Sequence, residues 1–431
     1  MLSHRARPPI LCALWLLAAC PAAFASVEFS GRLALSGESA GQRFRQVSFD
    51  EPTSLFNLQS VSDSETNLNV LLDTDWRFGP AGGHRFIIDN RLRYGSSLTR
   101  DRLTAGYRYD SGVGSRFELD SESEVERGKI FERDETDVRQ AFVGRWSRRM
   151  GNGRDRLEIY GRGELRRVEG DSLFFPQSYN MGTARVSWAR DIGLLSTIDI
   201  GYGLRSTAVV DSAPGSYVEH EITALYDAYG GSSYYLSAEA SATRRDYIHD
   251  DNSSATGWAV LARGTARYSA SLALDLEARP YLELARHDIP DFVYYDYQKI
   301  GLDLGLKARS GEKIGWELLP GGEFLRAPGF EREDYDQGHV SLGFDVMSTG
   351  LWLDVSCKIG RRDYASPAPR DDLQSIPRSD YVFTELLLLA EKRVWGPVSL
   401  RVTGSHDVEW HELEEDDITI FLLSSELAYR F

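Results

Sequence analysis

The sequence predicts an all-β fold, a transmembrane antiparallel up-and-down barrel of about twenty strands. Three observations predict it: apolar and polar residues alternate from residue 27 onward, tight turns take turns with long polar connections, and the chain ends on an aromatic, apolar strand. Strand side chains point alternately to opposite faces, so a strand with lipid on one side and a polar interior on the other reads apolar, polar, apolar. In residues 66–78, Leu68, Val70, Leu72, Trp76 and Phe78 share one face and Asn67, Asn69, Asp73, Asp75 and Arg77 the other. Leu272, Leu274, Leu276 and Ala278 sort in the same way against Asp275, Glu277 and Arg279, and Ile300, Leu302, Leu304 and Leu306 against Asp303 and Lys307.

A soluble sandwich alternates too, so the connections carry the decision. Tight ones at 79–83, 110–112, 151–153, 230–231, 310–312, 348–350 and 395–397 alternate with longer polar stretches at 37–65, 124–135, 246–255, 327–337 and 364–379. A meander that turns on one side of a membrane and loops on the other has this rhythm. Trp76, Phe78, Trp146, Trp188, Tyr234, Trp258, Tyr268, Trp316 and Trp395 gather near strand ends, as interfacial girdles do. The count is twenty strands, with eighteen as the rival because 102–123 and 217–243 alternate least cleanly. An even, closed barrel leaves no unpaired backbone edge in hydrocarbon.

The ends agree. Residues 1–25 read as a secretory leader: Arg5 and Arg7, an apolar run over 10–19 too short to span a bilayer, and Ala23, Phe24 and Ala25 before Ser26. Leu17, Ala18, Ala19 and Cys20 also resemble a lipoprotein box, which would leave Cys20 acylated, but strand alternation beginning at Val27 favours a cut after Ala25. No Pro-, Ser- or Gly-rich linker divides 26–431, which reads as one barrel domain. The last strand puts Phe421, Leu423, Leu427, Tyr429 and Phe431 on one face. This resembles the terminal assembly signal of Gram-negative outer-membrane β-barrels, read by the barrel assembly machinery. The resemblance spans the leader, the alternation and the last residues, and it identifies a superfamily of porin-like and exporter-like barrels rather than one family. It implies a bacterial outer-membrane location, both termini periplasmic, surrounding lipid and lipopolysaccharide, and periplasmic chaperones with the assembly machinery as partners in biogenesis.

Composition excludes several functions. The net charge of −16 becomes −18 without the leader, since Arg5 and Arg7 leave and no acid does, which argues against nucleic acid. Cys12 and Cys20 lie in or beside the leader, so Cys357 has no disulfide partner. Pro320, Gly321, Gly322 and Glu323 lack the lysine of a phosphate loop and read as a strand kink, and no cofactor motif occurs. His84, His249, His287, His339 and His411 fall in or beside connections, while His220 and His406 fall on apolar faces. Ser206 lies near His220, yet the residues of a phospholipase motif are absent, so the chain is not expected to be an enzyme. Acidic loop residues, densest at 412–417, suit divalent cations or lipopolysaccharide, but none follows a spaced calcium motif and plain solvation accounts for them.

With apolar faces outward, the inward face carries Arg85, Arg91, Arg93, Arg108, Arg139, Arg145, Arg162 and Arg166, then Glu219, Glu221, Glu239, Asp275 and Glu277. Two arrangements are open: a basic wall opposed by an acidic one, whose transverse field orients dipolar solutes, or neighbouring strands neutralising each other. No separate domain is evident between Ala25 and the first strand, so the chain does not resemble a TonB-dependent receptor. The strongest candidate for an inward obstruction is the stretch 37–65, with Phe44, Phe49, Leu55 and Phe56. The expected function is a porin-like diffusion channel for small hydrophilic solutes. The alternatives are an exopolysaccharide-type export barrel and a non-conducting structural or assembly barrel.

Overall fold

The computed structural model describes residues 26–431 except 51–54, 80–82, 97, 113, 131–132, 152, 170–177, 194, 211–214, 232, 249–254, 292–293, 312, 367–378 and 413–416. The leader, Cys20 and most of the acidic stretch 412–417 lie outside the described residues. Twenty strands follow one another: β1 Ser26–Asp50, β2 Leu55–Gly79, β3 His84–Gly95, β4 Leu98–Asp110, β5 Ser115–Ile130, β6 Arg133–Met150, β7 Asp155–Glu169, β8 Tyr179–Asp191, β9 Ser196–Val209 and β10 Tyr217–Gly230. Then come β11 Tyr234–Tyr247, β12 Gly257–Ser271, β13 Leu274–His287, β14 Tyr297–Ser310, β15 Ile314–Arg326, β16 Tyr335–Ser348, β17 Leu351–Tyr364, β18 Tyr381–Trp395, β19 Val398–His411 and β20 Ile418–Arg430. The segments with the weakest alternation form full strands, β4 and β5 and β10 and β11, so the count is twenty and not eighteen.

Each strand pairs antiparallel with its neighbours in the chain, and β1 pairs with β20 as well as β2, so the sheet has no free edge. The nine connections from an even strand to the next odd one are two to four residues long. They share one end of the barrel, the turn end, with Ser26 and Phe431. In the first of these turns Gly83 has φ +83°, and a Cβ there would lie 2.1 Å from the Asp110 carbonyl oxygen. Glycine is required, and its own carbonyl accepts the Asp110 N–H at 2.9 Å.

The seam explains the aromatic terminus. Phe431 N–H donates to the Gly31 carbonyl and Gly31 N–H to the Phe431 carbonyl, both at 2.9 Å. The Phe431 ring lies over Gly31, where a Cβ would come within 2.4 Å of it, and the Phe421 ring covers Gly41 in the same way. Two glycines of β1 thus receive two aromatic rings of the last strand, a device that pins register. Phe421, Leu423, Leu427 and Tyr429 lie on one face by register, with Gly41, Ser39, Leu35 and Leu33 opposite them.

The structure corrects one expectation about loops. The described residues of 37–65 are strand: β1 and β2 stay in register from Ser26 and Gly79 out to Asp50 and Leu55. Residues 124–135 likewise belong mostly to β5 and β6, paired out to Ile130 and Arg133. Beyond the membrane both faces of a strand meet water, so the period-two apolar signal disappears while the backbone ladder continues. Residues 37–50 and 55–65 are therefore an extension of the wall, not an inward loop. Between these tall hairpins β3 and β4 are joined by residues 96–97 alone, which leaves the wall low there.

The charged face is the concave one, because its side chains reach past a neighbouring strand. Arg162 of β7 meets Glu122 of β5 at 3.5 Å, Arg279 of β13 meets Glu317 of β15 at 2.8 Å, and Arg185 of β8 donates to Thr223 of β10 at 2.8 Å. Arg93 of β3 reaches Glu38 of β1, and Tyr281 of β13 reaches Glu323 of β15. Side chains converge inside a cylinder and diverge outside it. The opposite face exposes Leu302, Leu304, Leu342 and Leu423, among many large apolar residues. Among the described residues no large side chain is fully buried, and the best-buried apolar positions are small ones such as Ala34, Ala141 and Ala428. That is the burial pattern of a hollow wall rather than of a packed core.

Candidate functional site

The arginines of the first half of the wall are neutralised locally. Arg108 donates to Asp120 at 2.6 and 2.9 Å and stands 3.7 Å from Glu118. Arg145 lies between Glu118 at 3.6 Å and Glu158 at 3.3 Å, and Arg162 pairs with Glu164 at 2.6 Å. Arg166 donates through Nε and Nη2 to Asp137 at 2.9 and 2.6 Å, while Arg139 reaches Asp137 at 3.8 Å and Glu164 at 3.6 Å. Arg91 pairs with Asp89 at 3.1 Å and Arg93 with Glu38, whereas Arg85 faces Arg108 in register. Of the two arrangements open from sequence, the structure has neighbouring strands neutralising each other. Charges this close cancel much of their field at a distance, so an isolated basic wall does not form.

The acids of the second half are treated the same way. Glu219 accepts from Arg245 Nη2 at 2.6 Å and meets Arg205 at 3.1 Å; Glu239 pairs with Arg263 at 2.7 Å. Glu277 sits among Arg267, Arg279 and Lys307 at 3.1, 2.5 and 3.1 Å. Glu221 faces Gly203 and Thr243 in register, and Asp275 faces Lys307.

At the loop end the wall changes character. β8, β10, β14, β16 and β18 all begin on tyrosine, at Tyr179, Tyr217, Tyr297, Tyr335 and Tyr381; β11 and β17 end on Tyr247 and Tyr364, and β13 and β19 on His287 and His411. By register these residues lie on the concave face. They form a collar of rings: Tyr217 is 5.5 Å from Tyr247, Tyr335 is 5.9 Å from Tyr364, and Tyr381 is 4.8 Å from His411. Arginines are stacked into it. The Arg362 guanidinium stands 4.1 Å from the Tyr335 ring and 5.4 Å from the Tyr381 ring, while its Nε and Nη2 donate to Gln337 Oε1 at 2.9 and 2.6 Å. Arg245 stands 4.7 Å from the Tyr217 ring. Such stacks hold a cation with its flat face against a ring and its edge in hydrogen bonds.

The connection between β15 and β16 packs onto this collar. Leu325, Ala327 and Tyr335 form a small buried cluster, with Tyr295, Tyr297, Phe330 and Tyr364 against it. Tyr295 OH donates to Glu333 at 3.4 Å, and the Tyr295 and Phe330 rings are 5.7 Å apart. The connection 327–334 thus packs against residues of the concave face, which the described residues of 37–65, the candidate obstruction, do not do as an inward loop.

The sequence assigns charged residues to the lumen, aromatic residues to the girdles and no role to the collar tyrosines. Trp76, Trp146, Trp188, Tyr234, Tyr268 and Trp316 do lie on the apolar face near the turn end. The collar tyrosines have the opposite parity, and that parity was the available signal: each borders a long connection and is in phase with the charged residues of its strand. His220 and His406 do lie on the apolar face, where His220 Nδ1 bonds Tyr202 OH at 2.7 Å, so their assignment was not a register error. Among the described residues no cluster of three or more ligating side chains could hold a metal ion. The described loop acids are engaged in loop structure: Asp296 accepts from the His287 N–H at 2.8 Å and from Arg286 at 2.9 Å, and Asp334 accepts from the Ala327 N–H at 2.6 Å. Burial pushes the Asp296 carboxyl up, but the His287 N–H and Arg286 outweigh it and hold the group below its ordinary range.

No protein-family model matches the chain, and no curated protein resembles it by sequence. Its architecture recurs in solved structures. The copper transporter OprC is 10% identical, with a TM-score of 0.57 over 95% of this chain and 81% of that one. The alcaligin outer-membrane receptor FauA from Bordetella pertussis is 10% identical, with a TM-score of 0.56 over 94% and 76%. The ferric enterobactin receptor PfeA is 8% identical, with a TM-score of 0.54 over 95% and 82%. At these identities the likeness is one of fold, and the fold is that of a Gram-negative outer-membrane β-barrel, here closed by twenty strands.

Proposed function

We propose that the protein is a selective outer-membrane transporter, carrying a small hydrophilic solute through its own lumen after engaging it at the collar, with the loop end outside the cell. The observation that carries this reading is the concave wall itself: ion-paired, polar and without a fully buried large side chain among the described residues. A barrel of twenty strands is wide enough for a channel. The collar supports selection, because ordered rings and arginines at a mouth bind rather than merely admit. The solved structures of similar fold are described as transporters and receptors, for copper, alcaligin and ferric enterobactin, which supports transport of a recognised ligand over an unselective porin. In this reading Arg85, Arg91, Arg93, Arg108, Arg139, Arg145, Arg162 and Arg166, with Glu219, Glu221, Glu239, Asp275 and Glu277, line the path. Ion-paired walls keep such a path wet and favour polar over apolar cargo. The test is reconstitution of the folded protein in planar bilayers and in solute-loaded vesicles. Ion conductance together with solute-dependent flux is expected; a folded barrel that gives neither overturns the proposal.

A further inference from the structure

We propose that the cavity at the loop end between β11 and β14 is a binding site for a neutral sugar of one or two rings. It encloses about 350 Å³ and is lined by Arg245, His287, Tyr294, Tyr295 and Tyr297, a size within the ordinary range of small-molecule pockets. The proposal deepens the transport reading and rests on it only for the route the sugar then takes.

Three features select the ligand class. The first is charge. Arg245 is closed by Glu219, with Nε and Nη2 both on Oε2 at 2.9 and 2.6 Å, and Asp296 beside the cavity is closed by Arg286 at 2.9 Å. An ionic ligand would meet charges already compensated within the wall and gain little from them, whereas a neutral ligand leaves both pairs intact. The second is the supply of flat apolar faces. Tyr294 is 38% exposed and lies 5.9 Å from the His287 ring, and Tyr295 lies 5.9 Å from Tyr297. A sugar ring carries an axial C–H face that seats on such surfaces. The third is the polarity of the edges. Tyr297 OH donates to Glu283 at 2.5 Å and Tyr295 OH to Glu333 at 3.4 Å, so both phenol oxygens keep lone pairs for an incoming hydroxyl. His287 contributes its ring to the lining, its Nδ1 being buried 3.9 Å from Asp296 Oδ1. Arg245 retains N–H groups beyond the two given to Glu219. Acceptors and donors around two aromatic plates, with no net charge to satisfy, match a polyhydroxylated ring better than an anion, a metal chelate or an apolar molecule.

The experiment is equilibrium binding to the full-length protein, purified and folded in detergent, by calorimetry against glucose, galactose, mannose, maltose, lactose and sucrose, with glucuronate and inorganic phosphate as anionic probes. Saturable binding of at least one neutral sugar is expected, weakened ten-fold or more in Tyr294→Ala and in Tyr297→Phe, and unchanged in Lys358→Gln, three strands away on β17. Heat-modifiable electrophoretic migration verifies that each variant is a closed barrel. Tyr294 stands on a connection, so its variant tests the site even if Tyr297→Phe folds poorly. No binding by any neutral sugar, preference for the anions, or full affinity in Tyr294→Ala would each overturn the proposal. Binding in detergent does not require conduction, so a protein that binds sugar but does not conduct fails only the transport reading, and a conducting protein blind to sugars fails only this one.

Discussion

The wall from β3 to β9 and the wall from β13 to β20 obey the same alternation yet present different chemistry to the lumen. The first is a lattice of arginines and carboxylates, as in Arg162 with Glu122 and Glu164. The second has a rim dense in tyrosine, which the first reaches only at Tyr179 of β8, and bare aliphatic side chains below it: Leu387 and Leu422 face the same side as Ser405 by register and are 50% and 47% exposed. The contrast teaches that period two fixes only which residues share a face. What that face does depends on whether cross-strand partners match charge with charge, or ring with cation.

The largest effects test the boundary between inside and outside that both walls share. Replacing Leu304, mid-strand on the apolar face, with arginine should cost about 2 to 4 kcal/mol of membrane insertion, whereas Asp303→Asn on the concave face should insert normally. Heat-modifiable migration of outer-membrane fractions measures both, and equal tolerance would contradict the register of β14. Deleting Phe431 should lower the amount of assembled barrel strongly, since it removes the ring over Gly31 and both backbone bonds at the seam; unchanged surface levels would show that closure does not depend on it.

The next effect separates the walls. Arg362→Ala removes a guanidinium held between Tyr335 and Tyr381 and leaves Gln337 without its partner, for a loss of about 2 kcal/mol. Arg91→Ala, at a largely exposed pair with Asp89, should cost under about 1 kcal/mol. Urea unfolding in micelles compares the two, and equal losses would erase the distinction between a stacked and a merely paired arginine. A subtler change is expected in selectivity: Arg108→Gln with Arg162→Gln should shift the reversal potential toward cations, because Asp120 and Glu164 keep their charge.

The smallest effect concerns the connection after β13. The Asp296 carboxyl is held below its ordinary value of 3.8, so its contribution is complete above that pH and is lost as pH falls through the lower, folded value. Protection of the His287 amide against hydrogen exchange should therefore persist at mildly acidic pH and fall only below the ordinary carboxylate range. Asp296→Asn should flatten that dependence; loss of protection near neutrality would assign it to another group.

Much of this was legible beforehand. The barrel, its twenty strands, the apolar face of Leu302 and Leu304 and the tight turns all follow from local rules, because lipid on one side imposes a strict period and glycine-bearing turns punctuate it. Residues 37–65 were misread for the same reason: outside the membrane nothing enforces the period, and a ladder of backbone hydrogen bonds leaves no mark in side-chain order.

By itself the sequence determined which residues share a face, where the chain turns and that the sheet must close, since each depends on neighbours one or two positions away and on the solvent met there. Only the tertiary structure decided which arginine meets which carboxylate, that β1 offers Gly31 and Gly41 to the rings of β20, and that tyrosines from seven strands converge on one rim. Those are contacts across the curvature of a closed wall, set by register and radius, which no stretch of alternating residues encodes on its own.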